Sequence, residues 1–215
     1  GGCVPNVAID LKKIDPGMDV YAIGLVGDDD DGRYVTGVLA ANGVDVSGVR
    51  TTGGRTSFTE VMSEMGGQRT FFTYVGADGG LGLSDIPFDE IAPAILHLGY
   101  FLLLPAVDQG EGLRILREAT DRGIITSVDL VSENSDRYGC VLPCLPYVDY
   151  LIVNELEAGK LADMAPEAGN MRAICARLLA AGVRRKVIVH SRDFSVCMSR
   201  DRFTALGSLA IPREQ

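Results

Sequence analysis

Short apolar runs alternate with helix-patterned stretches along most of this chain, and that alternation constrains its fold more than any other feature. Val20 to Val26 is an apolar run broken only by Gly24, which predicts a buried strand. A helix follows, with apolar positions Tyr34, Val35, Val38 and Leu39 and a left-handed cap at Gly43 after Asn42. From Ala94 the pattern resumes. Strands are predicted over 95–98, 124–130, 147–153 and 187–190, and helices over 112–122, about 155–161 and about 168–181. A polar helical segment separates the second and third of these strands, and a short amphipathic helix over 6–14 follows Pro5. Such repeats predict an α/β fold, a mostly parallel sheet with helices on both faces. We read residues 1–215 as one domain of this kind.

One stretch breaks the alternation. Phe58 and Val61, then Thr70 to Val75, form two β-rich runs around Gly66-Gly67. They predict a β-hairpin, about residues 55–76, projecting from the sheet as a flap.

Composition removes several function classes. With 29 acidic and 20 basic residues the chain carries −9, and phosphate neutralisation needs clustered Lys and Arg, so no nucleic acid is expected as a partner. The one basic cluster, Arg184-Arg185-Lys186, reads as a solvated turn. Five scattered cysteines without a CxxC pair, and only two histidines, give no structural zinc site and fit buried thiols of a reducing compartment. No apolar run approaches membrane-spanning length and no signal peptide is visible, so the expected location is cytoplasmic, with no membrane partner. The chain opens on Gly1-Gly2 without Met and closes at Ile211–Gln215 without a helical ending, so both ends read as cut.

Ligands of such sheets bind beyond the carboxyl ends of the strands, so residues there are the candidates. There is no GxGxxG and no GxxxxGK[ST], which excludes the dinucleotide fingerprint and the Walker loop. Asp28 to Asp31 miss the EF-hand spacing and read as helix capping and first-turn charge. Asp129 ends a strand and suits a polar ligand or the capping of the next helix, whereas Asp149 reads as a turn residue. Asn154 ends another strand with Glu157 three residues on. That spacing fits a capping box, and equally an amide and carboxylate facing one crevice, where they could hold hydrated Mg2+ near phosphates. Gly1, Gly2 and Asn6 put two glycines and an amide at a helix N-terminus, where backbone N–H groups are open to a ligand. His97 and His190 read as structural.

In order and spacing, these features resemble the PfkB (ribokinase-like) family of carbohydrate and nucleoside kinases. The resemblance is carried by Gly1-Gly2 with Asn6 and Ala8, the run Val20 to Asp29 with Gly32, Asn42 to Asp45, the hairpin ending Arg69 to Phe72, and Asn154-x-x-Glu157. It implies a Rossmann-like sheet with a small β-hairpin lid that closes on a sugar and builds a homodimer. It further implies that ATP, with Mg2+, phosphorylates a hydroxyl of a small-molecule sugar or nucleoside. Gly1, Gly2 and Asn6 would contact substrate hydroxyls, Asn154 and Glu157 would organise Mg2+ through water, and Asp129 would face the phosphate region.

The chain also departs from the family pattern. The family's first strand, with its substrate-binding Asp, belongs before Gly1, and its Gly-Ala-Gly-Asp turn, with anion hole and base, belongs after Gln215. The family's Thr-x-Gly-x-x-Gly reads His190-Ser-Arg-Asp-Phe-Ser195 here. No catalytic base is therefore expected within these residues, and the stretch alone is expected to be inactive. The alternative is a catalytically inactive sugar-binding or regulatory protein on the same fold.

Overall fold

The computed structural model describes residues 2–65, 69–133 and 135–209, so Gly1 and the Gly66-Gly67 turn lie outside the described residues. The chain divides into two compact units, residues 1–92 with 103–107 and residues 93–102 with 108–215.

In the first unit, α1 (Cys3–Ile14), β1 (Tyr21–Gly27), α2 (Asp30–Ala41) and β2 (Asp45–Thr52) form a layered core, with β1 and β2 paired in parallel. Ala8, Ala22, Leu39 and Val44 are buried at its centre, with Ile9, Val20, Val35, Val46 and Val49 packed around them. Strand β2 was not foreseen. Asp45, Ser47, Arg50 and Thr51 are solvent-exposed in it, so it lacks the apolar run of a buried strand. Asp29 caps α2, and Gly43 closes it with φ +77°.

The flap is a two-stranded antiparallel sheet of β3 (Phe58–Ser63) and β4 (Arg69–Tyr74), with Phe58 opposite Tyr74. Those rings stack at 5.4 Å, and the Thr59 and Thr73 hydroxyls meet at 3.0 Å. Both legs of the hairpin are tied to the end of β1. Thr56 Oγ1 accepts from Gly27 N at 2.9 Å, and Asp78 Oδ1 accepts from Leu25 N at 2.9 Å. Burial raises the Asp78 carboxyl above its usual range, and the Leu25 N–H opposes that shift.

In the second unit, β5 (Ile95–Phe101), β6 (Ile125–Leu130), β7 (Tyr150–Asn154) and β8 (Lys186–His190) are parallel. They are extended by antiparallel β9 (Phe194–Met198) and β10 (Phe203–Gly207) in the order β10-β9-β8-β7-β6-β5. The architecture is mixed α/β with a mostly parallel sheet. Alternate positions Leu98, Val128, Leu151, Val153, Val187 and Val189 are buried, as the two-residue period of strands requires. The helices α4 (Gly112–Asp121), α5 (Glu155–Ala162) and α6 (Met171–Ala180) pack on these strands, and a short α3 (Phe88–Ile91) precedes β5. The third strand begins at Tyr150 rather than at 147, because Leu142–Tyr147 is a 3-10 turn containing Pro143 and Pro146.

Asp149 and the Arg184–Lys186 cluster differ from the turns that the sequence predicts. Asp149 is no simple turn residue. It is 2% exposed, and its Oδ2 accepts from Thr126 N at 3.0 Å while Oδ1 accepts from Arg185 Nε at 3.0 Å. Arg184 and Arg185 thus flank a buried carboxylate instead of forming a merely solvated turn. Cys3, Cys144 and Cys175 are buried thiols. Burial pushes Cys144 up to about 12 and Cys175 up to about 11, which leaves both unreactive. Among the described residues no helix is long and apolar enough to cross a membrane.

Candidate functional site

The carboxyl ends of β6 and β7 carry a closed polar cluster. Asn154 ends β7 and caps α5: its Oδ1 accepts from Glu157 N at 2.9 Å, while Glu157 Oε2 accepts from Asn154 N at 3.0 Å. This is the reciprocal capping box expected from the spacing. The structure adds a third member. Ser132, in the loop after β6, donates from Oγ to Glu157 Oε1 at 2.8 Å and accepts from Asn154 Nδ2 at 2.6 Å. Asn154 Nδ2 also donates to Glu157 Oε1 at 2.8 Å.

The charge balance of this cluster matters more than its bond count. Glu157 is only 4% exposed, and all three donors to its carboxylate are neutral. Among the described residues no Lys, Arg or His pairs with it. The carboxylate has neutral hydrogen-bond partners and lies at the positive end of α5, and a hydrated hard divalent cation is a group whose charge and oxygen preference fit it. Asn154 and Glu157 are the residues that could hold such an ion.

Asp129 lies on the same sheet face as Asn154, since it pairs with Ile152 across β6 and β7 and Asn154 follows two residues later. Its Oδ1 accepts from Tyr100 N at 3.1 Å, on the side of β5, and its Oδ2 lies 4.0 Å from His97 Nε2. His97 Nδ1 meets Ser127 Oγ at 3.1 Å. Burial lowers the His97 pKa, and the Asp129 charge pulls it back up.

The same end of β5 is strained. Tyr100 (φ +63°) and Leu102 (φ +78°) occupy the left-handed region that non-glycine residues avoid. Carboxylates hold both: Asp129 accepts from Tyr100 N, and Asp108 accepts from Leu102 N at 2.8 Å. Arg137 donates to the Leu102 carbonyl at 3.0 Å and to Asp108 at 3.1 Å. Burial raises the Asp108 carboxyl, and the Leu102 N–H and Arg137 oppose it. Strain of this kind at a strand's carboxyl end marks functional edges of such sheets.

In the other unit, Gly2 is the N-cap of α1 at φ +111°, a conformation that favours glycine. Asn6 N donates to the Gly2 carbonyl at 3.2 Å, and the Asn6 residue is exposed in the first turn. Gly1, the third expected substrate contact, lies outside the described residues. After β8, the segment His190 to Ser195 is a tight antiparallel turn in which Ser191 N donates to the Phe194 carbonyl at 2.8 Å. Sequence reasoning missed Ser132 as a site member, because nothing local marks a serine as the partner of a carboxylate 25 positions away.

Residues 1–197 match the pfkB family of carbohydrate kinases. A probable fructokinase-4 of Arabidopsis thaliana is 31% identical over 133 residues, which are 60% of this chain and 40% of that protein. The match thus spans about two-fifths of that relative's length. The fold resembles that of Anopheles gambiae adenosine kinase in complex with P1,P4-di(adenosine-5) tetraphosphate, with TM-score 0.81 at 21% identity over all of this chain and 67% of that one. It also resembles the Vibrio cholerae O395 fructokinase in its fructose-, ADP- and calcium-bound form, with TM-score 0.78 at 20% identity over 99% of this chain and 70% of that one.

Proposed function

This chain belongs to the pfkB family of carbohydrate kinases, and from that premise we propose that the whole protein moves the terminal phosphoryl group of ATP onto a hydroxyl of a sugar or nucleoside. The buried carboxylate of Glu157 at the ligand-binding end of the sheet, which among the described residues pairs with no Lys, Arg or His, carries this reading. A cation completes a buried carboxylate whose other partners are neutral donors. Mg2+ bound there supplies positive charge to the nucleotide phosphates. Asn154 fixes Glu157 through the capping box, and the pair presents its remaining lone pairs to the waters of the ion. Asp129 belongs to the same sheet face and lines the phosphate region while holding Tyr100 in its strained turn.

Gly2 and Asn6 contact substrate hydroxyls in this reading. Gly2 needs no side chain there, and among the described residues no hydrogen bond engages the Asn6 amide. The hairpin excludes water from the sugar and pairs two copies of the chain. Its strands expose Val61, Met62, Phe71, Phe72 and Tyr74, more apolar surface than a two-stranded sheet keeps in water without a partner. The 215 residues contain no Gly-Ala-Gly-Asp turn, so by themselves they bind and position but do not transfer phosphate.

A coupled ADP-release assay of the full-length protein across sugars and nucleosides tests the reading, with Mg2+-dependent turnover expected for at least one of them. Sugar binding without turnover on any acceptor would overturn it in favour of a catalytically inactive sugar-binding protein.

A further inference from the structure

The geometry points to Ser132 as a positioning residue that fixes the Glu157 carboxylate for the divalent cation, an inference that rests on the kinase reading above. Three observations carry it. Among the described residues Ser132 is the one member of the cluster from outside the β7–α5 segment, and its hydroxyl ties the loop after β6 to the capping box. Its proton goes to Glu157 Oε1 and its lone pair takes the Asn154 amide, so a single hydroxyl orients both proposed metal-site side chains. Glu157 Oε1 thereby accepts two hydrogen bonds and Oε2 one, which leaves Oε2 the less committed oxygen and the one turned over to the ion's waters.

Removing the hydroxyl takes one of two donors from Oε1 and one of two acceptors from Asn154 Nδ2, leaving only the bond between those two groups. Partners of this kind around a metal ligand cost on the order of 10- to 100-fold in metal affinity when removed. Because this ion is held through water, the lower end, roughly tenfold, is expected.

The test is Mn2+ titration of the full-length protein in the presence of ADP, followed by electron paramagnetic resonance of free Mn2+. Ser132→Ala, Ser132→Thr and Glu157→Gln are compared with the parent at a temperature where circular dichroism shows all four folded. Ser132 is exposed, so both substitutions are tolerated by the fold. The expected result is roughly tenfold weaker Mn2+ binding for Ser132→Ala, near-parental binding for Ser132→Thr, which keeps the hydroxyl, and loss for Glu157→Gln. Parental Mn2+ binding by Ser132→Ala with loss in Glu157→Gln overturns the role of Ser132 and leaves the metal site standing. Equal weakening in Ser132→Ala and Ser132→Thr also overturns it, because the hydroxyl is then not the operative group. Parental binding in every variant removes the metal site itself.

Discussion

Asp29 and Thr56 are joined twice. The Thr56 backbone N–H donates to Asp29 Oδ2 at 2.8 Å, and its hydroxyl donates to Asp29 Oδ1 at 2.5 Å. Asp29 also accepts from Gly32 N at 2.8 Å, and the Thr56 hydroxyl accepts from Gly27 N. One side-chain pair thus connects the end of β1, the start of α2 and the leg of the hairpin. Replacing Thr56 by Val keeps the shape and removes the hydroxyl, leaving the buried Gly27 N–H without its acceptor. The expected loss is about 1–3 kcal/mol in urea denaturation, with Thr56→Ser close to the parent. A Thr56→Val variant as stable as the parent would show that the hairpin leg is held by other contacts.

The same bonds set an acid limit. The Thr56 hydroxyl first, then the Thr56 and Gly32 N–H groups, hold the Asp29 carboxyl down at about 2 against an ordinary 3.8. The folded state thus binds this proton more weakly than the unfolded chain. The stabilisation is complete above pH 3.8 and disappears as pH falls through about 2. Asp29→Asn removes that dependence, so the difference in denaturation midpoint between parent and variant is expected to shrink across this window.

Asp149 answers to a different test. It is buried, bonded to Thr126 N and to Arg185, with Arg184 Nε at 3.7 Å. Asp149→Ala orphans the Thr126 N–H at the start of β6. About 1–3 kcal/mol of stability is expected to go with it, the half-exposed arginines adding little because water screens them. Chemical denaturation checks this. Retention of full stability would mean that the Thr126 N–H finds another acceptor.

His97 gives the opposite arm of the pH profile from a lysine or a salt-bridged histidine. Burial holds it neutral, against the pull of Asp129, so its pKa lies below the ordinary 6.5. Its contribution is complete above 6.5 and is lost as pH falls from there toward the lowered value, because the unfolded chain takes up a proton that the folded chain refuses. His97→Gln is expected to flatten the stability profile between about pH 8 and pH 5. An unchanged slope would assign that titration elsewhere.

The hairpin predicts an assembly. Met62 and Phe72 lie on one face of it, with Phe58 and Tyr74. Exchanging Met62 and Phe72 for Ser is expected to turn a full-length dimer into a monomer in sedimentation equilibrium. A dimer that survives the exchange uses another surface.

Much of this architecture is readable from local pattern. The apolar runs of β1, β6 and β8 and the stripe of α2 follow from periods of 2 and 3.6. The caps Asp29–Gly32 and Asn154–Glu157 follow from a three-residue spacing that a single helical turn satisfies. Strands β2, β9 and β10 were not readable, because they sit at sheet edges or in a surface hairpin, where burial does not enforce alternation.

What the sequence by itself determined is therefore the buried strands and the longer helices, their order and the residues that cap them, since backbone sterics and side-chain periodicity act within one turn or one strand. Which distant groups share a hydrogen bond was decided by the tertiary structure alone. Ser132 reaches Glu157 across 25 positions, Thr56 reaches Asp29 across 27, and Arg185 reaches Asp149 across 36. Each pair meets because strand order and parallel register bring two loop ends to the same edge, and the cost of leaving a buried or half-buried carboxylate unsatisfied then selects the partner.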